Sequence, residues 1–432
     1  MSSAMLEVSG VRLVTHGRSP CLSCRGGRML CGRSYCPILS KAEALIKHLR
    51  EVKSIRVEGS SPPGIFVGRM GYPKVYAGPM TPPFRGDTSI LDAPERWVGK
   101  SFQEIIDYRY SLIRGKRLMA VDGAADPDEF LSTLQELSMA SGPVDSEALL
   151  KRRPSNIIVL SEFSQPFGPS APLKDYRVES IKTDHRIEEA FYDGDLPASK
   201  AVISLYREGV PVTSVQRCFS AGVLGIRSKR RLVPTRWAIT AVDDIVSKAM
   251  LIGIRDYPLI NEFRTYSFKH LGNMFAALLY PSRWEFEWIE AWFPGTTWNV
   301  DGWRPELIGD HEGFKGRSEY AHEIGGCYYA ARLAAVEALE REKRQAGVLI
   351  LREIYPDYVL PVGVWNVRES VRRLLDTGYE RFDRAEDAVK ALMNRLKVPY
   401  RTWLSKSELL QGLLVQERLE SFFPKSGGQW IT

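Results

Sequence analysis

Four cysteines crowded near the start limit what this chain can fold into more than any other feature. The stretch "CLSCRGGRMLCGRSYC" spaces Cys21, Cys24, Cys31 and Cys36 as C-x2-C-x6-C-x4-C. The first pair makes a tight turn whose thiolates fill one side of a tetrahedron. Gly26, Gly27 and Gly32 relieve the backbone beside the sulfurs, and Cys36 leads into a helix start, where the dipole favours thiolate. A closed all-sulfur set suits structural Zn2+. An iron–sulfur cluster takes the same four thiolates, so spacing alone does not exclude iron. Two disulfides are the third reading. The opening "MSSAMLEVSG" has no basic end followed by an apolar run, so no signal peptide is expected. In a large reduced intracellular protein, crowded cysteines hold metal more often than they pair. Cys218 and Cys327 stand apart from the set.

Charge is distributed unevenly. The 432 residues carry a net +7, yet residues 11–56 alone hold ten Lys and Arg against Glu43 and Glu51. A local basic excess points to an anionic partner, whereas a spread one would speak only of solubility. Arg25, Arg28 and Arg33 beside the cysteines, with Lys41 and Lys47 on the following helix, are therefore candidate DNA-backbone contacts. A plainer role exists for the three arginines, because zinc with four thiolates is a net −2 centre that they would neutralise. More basic residues follow than neutralisation requires. No apolar run approaches a membrane span; "KAMLIGI" and "MFAALLY" are core-sized. A cytoplasmic, nucleoid-associated location is expected, with no membrane partner.

Periodicity divides the chain into three parts: a basic four-cysteine module with its helix over 1–56, a mixed body over 57–400, and a tail over 401–432. "PILSKAEALIKHLREV" reads as a helix capped by Ser40. "GIFVGR" and "KVYAG" read as short strands. "SFQEIIDYRYSLIRGK" predicts a helix closed by Gly115, and "DPDEFLSTLQELSMAS" a second one. "NIIVLSEF" predicts a buried strand and "SQPFGPSAPLKDY" a loop, with "KAVISLYREG" continuing a strand-and-turn pattern. A helix over 240–255 is expected with Thr240 as its cap and Asp243 in its first turn. "EFRTYSF" and "EFEWIEAWFP" alternate as half-buried strands would. Residues 319–347 predict one long helix, "VLILREIY" a strand, and 367–398 two charged helices. The mixture reads as α+β or α/β.

The tail carries Gln416, Leu419, Phe422 and Phe423 in the pattern Q-x-x-L-x-x-F-F. A tight helical turn sets Leu419 beside both phenylalanines on one face, leaves Gln416 for a separate polar notch, and ends at Pro424. This matches the PIP box, the peptide that docks on the sliding clamp PCNA. An amphipathic helix folded onto the protein's own core is the alternative. The Gly-rich "KSGGQWIT" that follows favours the peptide.

The basic four-cysteine module, the large mixed body and the terminal PIP box together resemble the archaeal Nre family of DNA-repair proteins. "LSEFSQPFGPSAP" and "PTRWAITAVDD" are similar to that family in overall look. The resemblance spans essentially the whole chain. It implies a role in DNA-damage repair with recruitment by PCNA, and it places no catalytic mechanism on residues here.

The body offers fragments of chemistry. Ser161, Glu162 and Ser164 follow a strand candidate, where ligands sit in open α/β sheets; a proline-stiffened loop is the plainer reading. Asp243 and Asp244 near Arg236 form an acid pair of the kind that holds Mg2+, or simply complement a helix dipole. His322 and Glu323 are adjacent on the expected helix and point about 100° apart. There is no H-E-x-x-H, no Walker A sequence and no visible nucleophilic triad. The expectation is thus a PCNA-recruited, DNA-binding repair factor with a zinc module, and a nucleotide or Mg2+ site in the body is left open. The alternative is a repair enzyme (nuclease, glycosylase or nucleotide-dependent transferase) with its site in the body.

Overall fold

The computed structural model describes residues 54–154, 167–296, 298–299, 302–358 and 361–414. It also describes the backbone of 3–8, 11–16 and 157–160, and Cys36, Glu43, Ile46, Lys47 and Val52 singly. The N-terminal part contributes strands β1 (Ser3–Val8), β2 (Val11–His16), β3 (Arg56–Ser61), β4 (Ile65–Val67), β5 (Lys74–Thr81), β6 (Ile113–Ala120), β7 (Val144–Leu150), β8 (Ile157–Leu160) and β9 (Ser170–Val178). Its helices are α1 (Phe102–Ser111), α2 (Glu129–Met139), α3 (His185–Tyr192), α4 (Ala198–Arg207) and α5 (Val212–Ser220), and α6 (Thr235–Ile254) leads out of it. The C-terminal part adds β10 (Phe263–His270), β11 (Asn273–Tyr280), β12 (Glu285–Trp292), β13 (Glu306–Glu312), β14 (Gly347–Ile354) and β15 (Glu380–Phe382). Its helices are α7 (Gly326–Glu342), α8 (Trp365–Asp376), α9 (Ala385–Met393), α10 (Tyr400–Lys406) and α11 (Glu408–Leu414).

Two six-stranded mixed sheets organise these elements. The first runs β3-β7-β9-β6-β5-β4 and the second β13-β12-β14-β11-β10-β15. Most neighbours are antiparallel; β6 with β9 and β12 with β14 are parallel. A three-stranded sheet, β1-β2-β8, stands apart. Strands and helices follow no regular βαβ alternation, so the class is α+β.

One face of the first sheet packs against α2, α4, α5 and α6 through Leu131, Leu134, Val202, Leu205, Val215 and Val242. The second sheet is covered twice. Phe275, Trp288 and Ile350 meet the alanine-rich α7 and Val367 and Val371 of α8. On the other side, Leu278, Leu349 and Leu351 meet Val389 and Leu392 of α9, Trp403 of α10 and Leu410 of α11.

Several expected boundaries move, each for a local reason. The helix from Ser101, which forms a complete capping box with Glu104, ends at Ser111. Gly115 does not close it but sits within β6, where a Cβ would lie 2.6 Å from Leu173 Cδ1. "SQPFGPSAPLKDY" is strand from Ser170 onward, and "KAVISLYREG" is helical, with Ala201, Val202 and Leu205 forming its buried stripe. Helix α6 begins five residues before Thr240, behind Pro234. Residues 319–325 are not helical; Gly325, at φ +65°, turns the chain into α7. Strand β12 is buried along nearly its whole length because helices cover both faces, not half-buried. Finally, the tail does not start at 401: α10 and α11 are packed, with Trp403 and Leu410 fully buried.

Candidate nucleic-acid interface

The face of the first sheet turned away from α2, α4, α5 and α6 divides into two halves of different chemistry, and at Phe66 and Met80 it is covered by Leu91, Leu112 and, from α1, Tyr108. Directly paired residues in neighbouring strands share a face, so the register assigns each side chain. On β3, β7 and β9 this face carries Arg56, Glu58, Asp145, Glu147, Asp175 and Arg177. These charges neutralise one another. Arg56 lies 3.3 Å from Glu147, and Arg177 3.1 Å from Asp175. Arg85, from a neighbouring loop, lies 3.2 Å from Asp145.

On β4, β5 and β6 the same face carries Phe66, Lys74, Tyr76, Arg114, Lys116 and Leu118. These three strands contain no Asp or Glu at all. Tyr76 and Leu118 oppose each other and are about half exposed. The Lys116 ammonium lies 5.9 Å from the centre of the Tyr76 ring. The Arg114 guanidinium lies between two rings, 4.9 Å from Phe167 and 5.5 Å from Phe66. It is held there by donating to the Gly168 carbonyl from Nε (3.2 Å) and Nη2 (3.0 Å). Gly168 must be glycine, because a Cβ would meet the Leu112 carbonyl oxygen at 1.9 Å. That close approach sets Phe167 beside Arg114. Past the start of β5, Tyr72 packs on Trp237 of α6 with ring centres 5.4 Å apart, and both stay exposed.

Among the described residues, no carboxylate pairs with Lys74, Arg114 or Lys116, nor with Arg152, which follows β7 in the chain and whose charge reaches Lys116. Arg117 does pair, with Asp128 at 3.0 Å, but it points to the other face. Burial pulls the Lys116 ammonium below the usual lysine range, and the charges of Arg114 and Arg152 pull the same way. Burial likewise brings Arg114 down to about 10. Cations that disfavour one another in the folded protein are relieved when a polyanion arrives.

The residues singled out from sequence fare differently. Asp243 is buried inside α6, where it accepts from Gln216 at 2.7 Å and faces Arg368 at 3.2 Å. Asp244 pairs with Arg332 and, at 2.8 Å, with Lys248. The acid pair is thus divided between two arginine partners, not opened toward a metal. Arg236 is exposed at the start of α6. His322 and Glu323 lie on a turn, not a helix, beside a hollow of 340 Å3 shared with Glu287 and His311; Glu323 is occupied by Lys406 at 3.2 Å. Lys47 is helical and sits 3.2 Å from Asp107, so part of its charge is already answered. Cys36 is buried. Cys21, Cys24, Cys31, Arg25, Arg28, Arg33, Lys41, Ser161, Glu162, Ser164 and the 416–423 motif lie outside the described residues. The open half-sheet was missed from sequence, although "KVY" and "RGKRL" place Lys, Tyr, Arg, Lys and Leu at alternate positions with no acid between them.

The sequence is similar to that of known proteins. Residues 30–299 match the family description "Archaeal Nre, N-terminal" and residues 312–422 match "Archaeal Nre, C-terminal". DNA repair protein NreB of Archaeoglobus fulgidus is 42% identical over 395 residues, covering 90% of this chain and 97% of that protein. DNA repair protein NreA of the same organism is 39% identical over 380 residues, covering 87% and 94%. DNA repair protein NreA of Haloferax volcanii is 35% identical over 366 residues, covering 82% and 86%. No solved structure matches the chain. With both family regions matched and relatives this similar along nearly their full length, the chain belongs to the archaeal Nre family.

Proposed function

We propose that this protein is a DNA-repair factor that binds DNA and is brought to it by PCNA. The observation that carries the DNA contact is the group Lys74, Arg114, Lys116 and Arg152, cationic and, among the described residues, without carboxylate partners beside exposed rings. The names of its relatives supply the repair context. The basic residues Arg25, Arg28, Arg33, Lys41 and Lys47 add a second phosphate-binding region in this reading, next to zinc held by Cys21, Cys24, Cys31 and Cys36. The zinc is structural, since four thiolates leave no open position for a substrate. Gln416, Leu419, Phe422 and Phe423 dock on the clamp and tether the body to DNA. The packed chain ends its described course at Leu414, immediately before this peptide.

Phosphate contacts release counterions, so affinity for DNA should fall steeply with salt. In the double variant Lys116→Glu, Arg152→Glu, fluorescence anisotropy should show weaker binding and a shallower salt slope. An unchanged affinity and slope would remove the DNA contact from this face. Deleting residues 415–432 should abolish clamp binding while leaving DNA affinity intact; retained clamp binding would refute the tether. Metal analysis should give about one zinc per chain, and iron in its place would refute the zinc assignment.

A further inference from the structure

The rings on the open half-sheet say which form of DNA it takes. We propose that the β4–β5–β6 face binds single-stranded DNA, with bases stacked on Tyr76 and Phe167 and phosphates on Lys74, Lys116 and Arg152. This rests on the DNA-binding reading above and narrows it to a substrate class.

Three observations lead there. First, the rings are exposed where the fold does not need them. Tyr76 is 48% exposed and Phe167 47%. Water-facing aromatic rings on a sheet stabilise little by themselves, and bases supply the flat apolar surface that would cover them. Second, rings and cations alternate. Tyr76 stands two residues from Lys74 on one strand and beside Lys116 across the next. That is the arrangement a single strand requires, because its backbone and bases pass over the same surface side by side. Third, the surface suits a duplex poorly. Duplex bases are already stacked on each other, so the rings find no free base face. The major groove admits a helix or a two-stranded ribbon, whereas β5 here is flanked by β4 and β6 in a six-stranded sheet. The neighbouring half of the same face, neutralised by its own carboxylates, sets a limit to the strand's path. Stacking is tolerant of base identity, so the site should show little sequence preference.

The test uses the full chain with a fluorescein-labelled oligothymidylate and a labelled duplex of mixed sequence. Wild-type protein should bind the single strand more tightly. Tyr76→Ala and Phe167→Ala should each weaken single-strand binding on the order of tenfold, and leave duplex binding within about twofold. Tyr76→Phe keeps the ring and should keep the affinity. Tyr76→Leu keeps the apolar bulk without the ring and should not. Tighter duplex binding, or equal losses on both DNA forms, would overturn the single-strand assignment while leaving the DNA reading standing. If Lys116→Glu with Arg152→Glu changes neither affinity, the DNA reading of this face falls, and this inference falls with it.

Discussion

In the second sheet every residue of β11 and β14 is buried, while in the first sheet β6 buries only Ile113 and Gly115 fully. The two sheets treat charge accordingly. A charge inside the doubly covered sheet is costly unless matched. Arg352 meets Glu290 at 2.7 Å, and Glu353 accepts from the Lys397 amide at 2.8 Å. Glu287 accepts from the Glu408 amide at 2.9 Å and from the Ser407 hydroxyl, which fixes the start of α11. On the open face of the first sheet, water can solvate a charge, so pairing is optional. Among the described residues, one half pairs its charges and the other does not. Fold stability requires neither outcome there, and this makes the unpaired half informative about function.

The sharpest way to break this comparison is to unpair a charge in each sheet. Arg352→Ala leaves Glu290 buried without its cation and should cost about 3–5 kcal/mol, read as a lowered urea midpoint. A loss below about 1 kcal/mol would show that the second sheet tolerates unpaired charge as the first does.

An intermediate effect is expected at Asp243, which lies between the two sheets on α6. Burial, opposed by the Arg368 charge, pushes its carboxyl up to about 6. A carboxyl raised in the folded state takes its proton there before it does so in the unfolded chain. This group's contribution should therefore favour folding increasingly as pH falls from about 6 toward the ordinary aspartate range, on the order of 2 kcal/mol. Asp243→Asn should remove that part of the pH dependence. Denaturant curves for both proteins at several pH values between 4 and 7 check the sign, and identical slopes would refute it.

The smallest effect is expected at Lys116. Lys116→Glu places a carboxylate beside Arg114 and Arg152, relieving repulsion. Stability should stay within about 0.5 kcal/mol of the parent, on the stabilised side, while DNA affinity falls. A variant that loses stability in step with affinity would make Lys116 structural.

Much of the second sheet was legible from sequence, since "VLILREIY" is an apolar run between turn signals. Pattern alone did not show that β12 is covered on both sides, because Glu287 and Glu290 interrupt its apolar run as if marking a solvent face. Their partners, Ser407 and Arg352, are remote in sequence. The same distance hid the meaning of Asp243, which looked like a first-turn acid until α6 proved to start at Thr235. The open half-sheet left a faint local signal. Reading it required the register of β5 against β6 and the approach of Phe167 to Arg114, and those depend on strand pairing across the chain.

The central claim is that DNA lies on the unpaired half of the first sheet. Lysine footprinting, with an acylating reagent and mass spectrometry in the presence and absence of single-stranded DNA, tests it most directly. Lys74 and Lys116 should lose reactivity when DNA is added, whereas Lys248, ion-paired at 2.8 Å to Asp244, and Lys343, ion-paired to Glu340, should not respond. Protection confined to Lys41 and Lys47, with Lys74 and Lys116 as reactive as before, would contradict the account and return DNA binding to the cysteine-rich module alone.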